Sequence, residues 1–178
     1  MKAMVLRGTE LTVEDVPVPE PGPGQVLAKV LACGICGSDL HAARFMGNMI
    51  DTARASRRRC WYNDEPGAGM VMGHEFVAEI VSTGPEVGDW QPGMRVTSMP
   101  ILLDPKSPSG AQSIGYSPAV PGAYSEYVVM SAPLLLRVPD HVSNEMAATT
   151  EPSAVGLHAV REARLRDNDT ALIMGAGP

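Results

Sequence analysis

Cys33-Gly34-Ile35-Cys36-Gly37-Ser38-Asp39-Leu40-His41 is the stretch around which the rest of this chain can be read. Before it, Val26, Ala28, Val30 and Ala32 alternate with Leu27, Lys29 and Leu31, the period of a β-strand. Ser38 and Asp39 are good helix starters, so a short helix over residues 38–44 is expected after the Gly37 turn. A strand thus delivers the chain to Cys33 and Cys36, and the helix opens beside them with Ser38 and His41 facing one pocket. Further on comes Gly73-His74-Glu75. The two stretches supply a thiolate, an imidazole and a carboxylate, with hydroxyl and imidazole groups to relay a proton. Such a set can build a zinc site with an open fourth position; a closed structural site takes four ligands, usually cysteine-rich, and no second cysteine pair completes Cys33 and Cys36.

The bulk numbers bound this reading. A chain of 178 residues is long enough for one packed domain, or one domain and the start of another. Hydrophobic residues at 44%, charged residues at 19% and a net charge of −6 favour neither disorder nor nucleic-acid binding. Gly (18) and Pro (16) are plentiful and aromatics scarce, which suits short strands joined by turns better than a helical bundle. Three cysteines and no leader-like segment before Met1-Lys2-Ala3-Met4 point to a reduced, cytoplasmic protein. The apolar runs are too short to span a bilayer.

In chain order, residues 3–6 and 12–16 are β-prone around Gly8, and the proline-rich residues 17–24 force an extended connection. Residues 45–71 read as a long irregular excursion containing Arg54, Arg57, Arg58, Arg59, Cys60 and Trp61. Strands are expected over 76–82, 95–101, 124–130 and 134–138, with a second irregular loop over 104–122. Ser143 caps a short helix through Thr149, and Glu151-Pro152 opens another to about Arg164. Thr170 to Met174 reads as a short buried parallel strand. It ends in Gly175-Ala176-Gly177-Pro178, half of a dinucleotide-binding turn, lacking the third glycine, the helix and the acidic ribose-binding residue.

Taken together and in order, Cys33 to His41, Gly73-His74-Glu75, Gly122-Ala-Tyr-Ser-Glu-Tyr127, Glu151-Pro-Ser-Ala-Val-Gly-Leu-His158 and Gly175-Ala-Gly-Pro resemble the zinc-dependent medium-chain alcohol dehydrogenases, most closely the sorbitol and threonine dehydrogenase branch. The resemblance spans nearly the whole chain. It implies a mainly β protein with short helices: a GroES-like β-barrel catalytic domain over residues 1–150, then a linking helix and the first strand of a truncated Rossmann domain over 151–178. It implies an N-terminal fragment, inactive alone, of a homodimeric or homotetrameric enzyme. That enzyme would oxidise an alcohol or polyol, or run the reverse, by hydride transfer with NAD or NADP, the substrate oxygen being activated on zinc.

The resemblance also assigns roles. Cys36 and His74 are the expected zinc ligands, and Glu75 and Glu151 compete to be the third. Asp39 would accept a hydrogen bond from the other ring nitrogen of His74, while also serving as a helix cap. Ser38 would take the substrate's hydroxyl proton and pass it, through the cofactor ribose, toward His41; the plainer reading has Ser38 as a cap and His41 as an exposed side chain. Gly175 and Gly177 are the cofactor-binding positions. Cys33 reads as a small core residue, His158 as helix packing and His141 as loop surface.

Two departures stand out. No cysteine lies between Arg95 and Tyr124, so the structural zinc of many relatives is not expected and that lobe must be held otherwise. Cys36 and His74 are also farther apart than this branch leads one to expect, the excess falling in the arginine-rich excursion. Its arginines fit a lid, an oligomer contact or a solvated loop, and Cys60 reads as an inert thiol. A non-catalytic GroES-like interaction module is the alternative to an enzyme. A nucleic-acid binder would rest on Arg54 to Arg59 alone, against the acidic balance.

Overall fold

The computed structural model describes residues 1–56, 69–107 and 109–175; Arg57, Arg58, Arg59, Cys60, Trp61 and Gly177 lie outside them. The first hairpin pairs β1 (Lys2–Arg7) with β2 (Glu10–Asp15), and β1 also pairs with β4 (Met70–Val71), giving a three-stranded antiparallel sheet. A second sheet has five antiparallel strands in the order β10 (Leu135–Arg137), β6 (Arg95–Ser98), β5 (Phe76–Thr83), β3 (Gln25–Cys33) and β9 (Tyr127–Ser131). The sheets are stitched where Met4 N–H donates to the Tyr124 carbonyl and Glu126 N–H to that of Lys2.

The alternation in β3 holds as far as Val30; a register shift before Ala32 then breaks it, and Leu31 and Ala32 both pack against the cluster of Val77, Val138, Ala147 and Ala148. Val26 and Ala28 are fully buried and stand opposite Met130 and Val128 of β9, within a core that includes Phe76, Ala78, Ile80, Val96 and Ile114. Strand β6 stops at Ser98 and β7 (Ile101–Leu103) begins beyond Pro100, so the single strand expected over 95–101 is two. Proline has no N–H to give a ladder. The loop expected over 104–122 contains β8 (Ala111–Ser113), paired with β7. This cysteine-free lobe is held by hydrogen bonds: Gln112 Nε2 to Asp104 Oδ2 (2.8 Å), Lys106 N–H to Asp104 Oδ1 (2.9 Å) and Ser117 Oγ to Gln112 Oε1 (2.9 Å).

Helix α1 (Gly37–Ala55) corrects the expectation of a short helix followed by irregular chain. A kink at Phe45 (φ −136°, ψ 31°) ends the expected piece, but a second helical piece continues. Ala42, Met46 and Met49, spaced as one helix face, pack against Leu6, Met70 and Met72, and this burial holds it. Helix α2 (Asn144–Ala148) begins as expected, Ser143 Oγ accepting from Met146 N–H at 3.3 Å. Arg95 clamps the turn before it, donating to Asn144 Oδ1 and to the carbonyls of Pro139, Asp140 and Val142.

Helix α3 (Thr150–Glu162) follows, with no buried residue. His158 is therefore exposed, not packed. Leu172, Ile173 and Met174 are 84–88% exposed, and the strand expected there pairs with nothing among the described residues. A parallel strand needs a neighbour to satisfy its backbone groups.

Candidate metal centre

The antiparallel register builds the site. Strands β3 and β5 pair as far as Cys33 opposite Phe76, and Gly34 N–H extends the ladder by donating to the Glu75 carbonyl at 2.7 Å. The end of β3 thus lies beside the start of β5. Residues just past the one and just before the other, Cys36 with His74 and Glu75, leave the sheet at the same corner. Among the described residues, one ligand atom from each of these three lies within 4.8 Å of the others. Two glycines permit the approach. A Cβ on Gly34 would meet the Glu75 side chain, and Gly73, at φ +95°, would drive one into Tyr124.

Asp39 organises the corner. It is 2% exposed, and its Oδ2 accepts from Cys36 N–H (3.0 Å) and from Tyr124 Oη–H (2.8 Å). The first bond is the reach-back of a third helical residue to the capping position. The second oxygen, Oδ1, accepts from Tyr116 Oη–H at 3.1 Å and stands 3.5 Å from His74 Nδ1, which is buried without a hydrogen-bond partner. Asp39 thus caps the helix and faces His74.

Electrostatics follow from this crowding. Burial works to raise the Asp39 carboxyl, but the His74 ring, Tyr124 and the Cys36 N–H together hold it below the usual range. Burial works to lower His74, yet Asp39 and Cys36 overcome it and push the imidazole up to about 9. Cys33 is pushed up to about 12, first by burial and then by the Asp39 charge, so it remains a thiol packed on the core, its Sγ donating to the Gly34 carbonyl. Burial and Asp39 raise Tyr124.

The other expected site residues sit around this corner. Glu151, in the first turn of α3, is outside the three-residue group but close enough to feel it: burial raises its carboxyl, the His74 charge lowers it and Glu75 raises it. Ser38 Oγ accepts from Tyr116 Oη–H at 2.6 Å. His41 is exposed, its ring 6.4 Å from that of Phe45, and does not bond to Ser38. Gly175 has a positive φ of 97° in exposed chain. Tyr116 and Tyr124 went unassigned in the sequence. The available signal was two tyrosines beside small residues, because a buried tyrosine must find its hydroxyl a partner.

Residues 22–140 match the alcohol dehydrogenase GroES-like domain. Sorbitol dehydrogenase of Bacillus subtilis (strain 168) is 33% identical over 190 aligned residues, covering 100% of this chain and 50% of that protein. The crystal structure of 2R,3R-butanediol dehydrogenase from Bacillus subtilis superposes with a TM-score of 0.75 at 32% identity, covering 93% of this chain and 48% of that one. A zinc-binding dehydrogenase from Sinorhizobium meliloti 1021, bound to NADP, gives 0.70 at 30% identity, covering 90% and 45%. The chain spans about half the length of the curated relatives it matches.

Proposed function

Because the chain belongs to the zinc-type medium-chain alcohol dehydrogenase family through its GroES-like domain, we propose that it is the catalytic half of an oxidoreductase that interconverts an alcohol or polyol with its ketone or aldehyde. In this reading residues 1–150 are the catalytic domain. Residues 151–178 are the linking helix and first strand of a Rossmann domain for NAD or NADP, with Gly175 and Gly177 as its cofactor-binding positions. The observation that carries the reading is the convergence of Cys36, His74 and Glu75 within 4.8 Å.

A thiolate, an imidazole and a carboxylate fit a catalytic zinc, and three protein donors leave one position open. When bound, zinc supplies a Lewis acid that acidifies a substrate hydroxyl, and the nicotinamide supplies the two-electron acceptor. The chain's own residues do the rest. Cys36, His74 and Glu75 hold the ion, with Glu151 the alternative third donor. Asp39 sits on the Nδ1 side of His74, leaving Nε2 for the metal. Ser38 would take the hydroxyl proton as it gives up its own, and His41, one helical turn on and exposed, would be the exit to solvent, reached from Ser38 through a bridging group and not by a direct bond. Assembly into a homodimer or homotetramer, a cytoplasmic location and inactivity without the cofactor domain belong to the same reading. No helix among the described residues is long and apolar enough to cross a membrane.

Elemental mass spectrometry of the purified chain tests it, alongside Cys36→Ser, Glu75→Gln and Glu151→Gln. About one zinc per chain is expected, lost in Cys36→Ser, and whichever glutamate variant loses it identifies the third donor. A folded chain that takes up no added zinc and tolerates Cys36→Ser would instead be a GroES-like interaction module.

A further inference from the structure

Tyr116 has no part in the reading above, yet it touches three residues that do. Its hydroxyl donates to Ser38 Oγ (2.6 Å) and to Asp39 Oδ1 (3.1 Å), and its ring lies against His74, centroids 5.3 Å apart and planes at 47°. The ring is also packed with Tyr124 against Leu6, Ala42, Met70 and Met72, so the phenol is anchored by its body as well as its tip.

The donors around Asp39 are unevenly distributed. Oδ2 has two, the Cys36 N–H and the Tyr124 hydroxyl, which is nearer to Oδ2 (2.8 Å) than to its other acceptor, the Gly34 carbonyl (3.2 Å). Oδ1 has Tyr116, with the partnerless His74 Nδ1 at 3.5 Å. A phenol carries one hydrogen, and here Ser38 Oγ and Asp39 Oδ1 both stand within reach of it. Directed at Ser38, it leaves Oδ1 to His74. Directed at Asp39, it draws on the carboxylate charge that would otherwise strengthen a bond from His74 Nδ1–H.

We propose that Tyr116 is a positioning residue that couples Ser38 to the Asp39–His74 pair, its single phenolic hydrogen setting how much of Asp39 Oδ1 remains to orient His74. The consequence for metal binding rests on the zinc-site reading; the coupling itself is a property of the metal-free chain.

The test begins on that chain, in chelator, with ¹⁵N-labelled histidine. Tyr116→Phe keeps the ring and removes the hydrogen, so the His74 Nδ1–H resonance moves downfield and exchanges more slowly with water. Ser38→Ala removes the competing acceptor and has the opposite sign, moving the resonance upfield. No movement in either variant, or the same direction in both, overturns the proposal. A competitive zinc titration follows. Tyr116→Phe binds more tightly than wild type, Asp39→Asn about 10–100-fold more weakly, and adding Tyr116→Phe to Asp39→Asn changes nothing more. Weaker binding by an equal factor in both backgrounds would reduce Tyr116 to packing and refute the coupling. If wild type binds no zinc while the resonances respond as stated, the metal-site reading fails and the coupling stands.

Discussion

Gly34→Ala tests the geometry of the corner without substituting a proposed ligand. Gly34 has no side chain because the Glu75 carboxylate occupies that space, and a built Cβ would also lie 3.2 Å from Glu75 Cβ. The backbone here is fixed by the bond from Gly34 N–H to the Glu75 carbonyl, so the cheapest relief is rotation of the flexible Glu75 side chain away from Cys36 and His74. Overpacking of this kind costs about 1–3 kcal/mol. At roughly 2–4 °C per kcal/mol for a chain of this size, the melting temperature should fall by about 2–12 °C. Zinc affinity should fall by roughly the 10–100-fold of losing a metal site's supporting partner. Thermal melts and competitive zinc titration measure the two effects. In Gly34→Ala/Glu75→Ala the carboxylate is gone, so much of the stability returns while the affinity does not. Unchanged zinc affinity in a folded Gly34→Ala chain would refute the argument, because Glu75 would then be either immovable or irrelevant to the metal.

Other perturbations give equally definite outcomes. In the metal-free chain His74 is raised from 6.5 to about 9, so its contribution to stability is fully present below about pH 6.5 and is lost as pH rises through about 9. Melts from pH 6 to pH 10 should show a decline that is shallower in His74→Gln. Thr97→Val leaves the buried Phe76 carbonyl without the 2.8 Å bond from Thr97 Oγ1, costing about 1–3 kcal/mol in denaturant unfolding. Phe76→Ala, at a residue 1% exposed in the main core, should cost about 3–5 kcal/mol by the same assay. Cys33, with its thiol pushed up to about 12, should stay unalkylated by iodoacetamide at pH 8 until the chain unfolds, as read by peptide mass mapping.

Much of the strand pattern was legible because it is local. Val26, Ala28 and Val30 declare their period, and Ser143 declares a cap, in the types of a few neighbouring residues. The second half of α1 was missed for the opposite reason. Ala42, Met46 and Met49 have helical spacing, but their burial depends on Leu6, Met70 and Met72, more than twenty residues away in either direction. Thr170 to Met174 has the composition of a buried strand, yet a strand exists only in its pairing, and no described residue supplies one.

The same division runs through the site. The sequence by itself determined the chemistry on offer: a cysteine, a histidine and two glutamates in an order that resembles one family, with Asp39 at a helix start. Residue types and short spacings are properties of the chain alone. Only the tertiary structure decided which of them meet. The pairing of Cys33 with Phe76 brings Glu75 to Cys36 and His74 and leaves Glu151 just outside, while packing on Leu6 and Met72 carries Tyr116 to Ser38 and Asp39. Strand register and core packing are set by contacts between residues far apart in sequence, and a contact of that kind leaves no local mark on either partner.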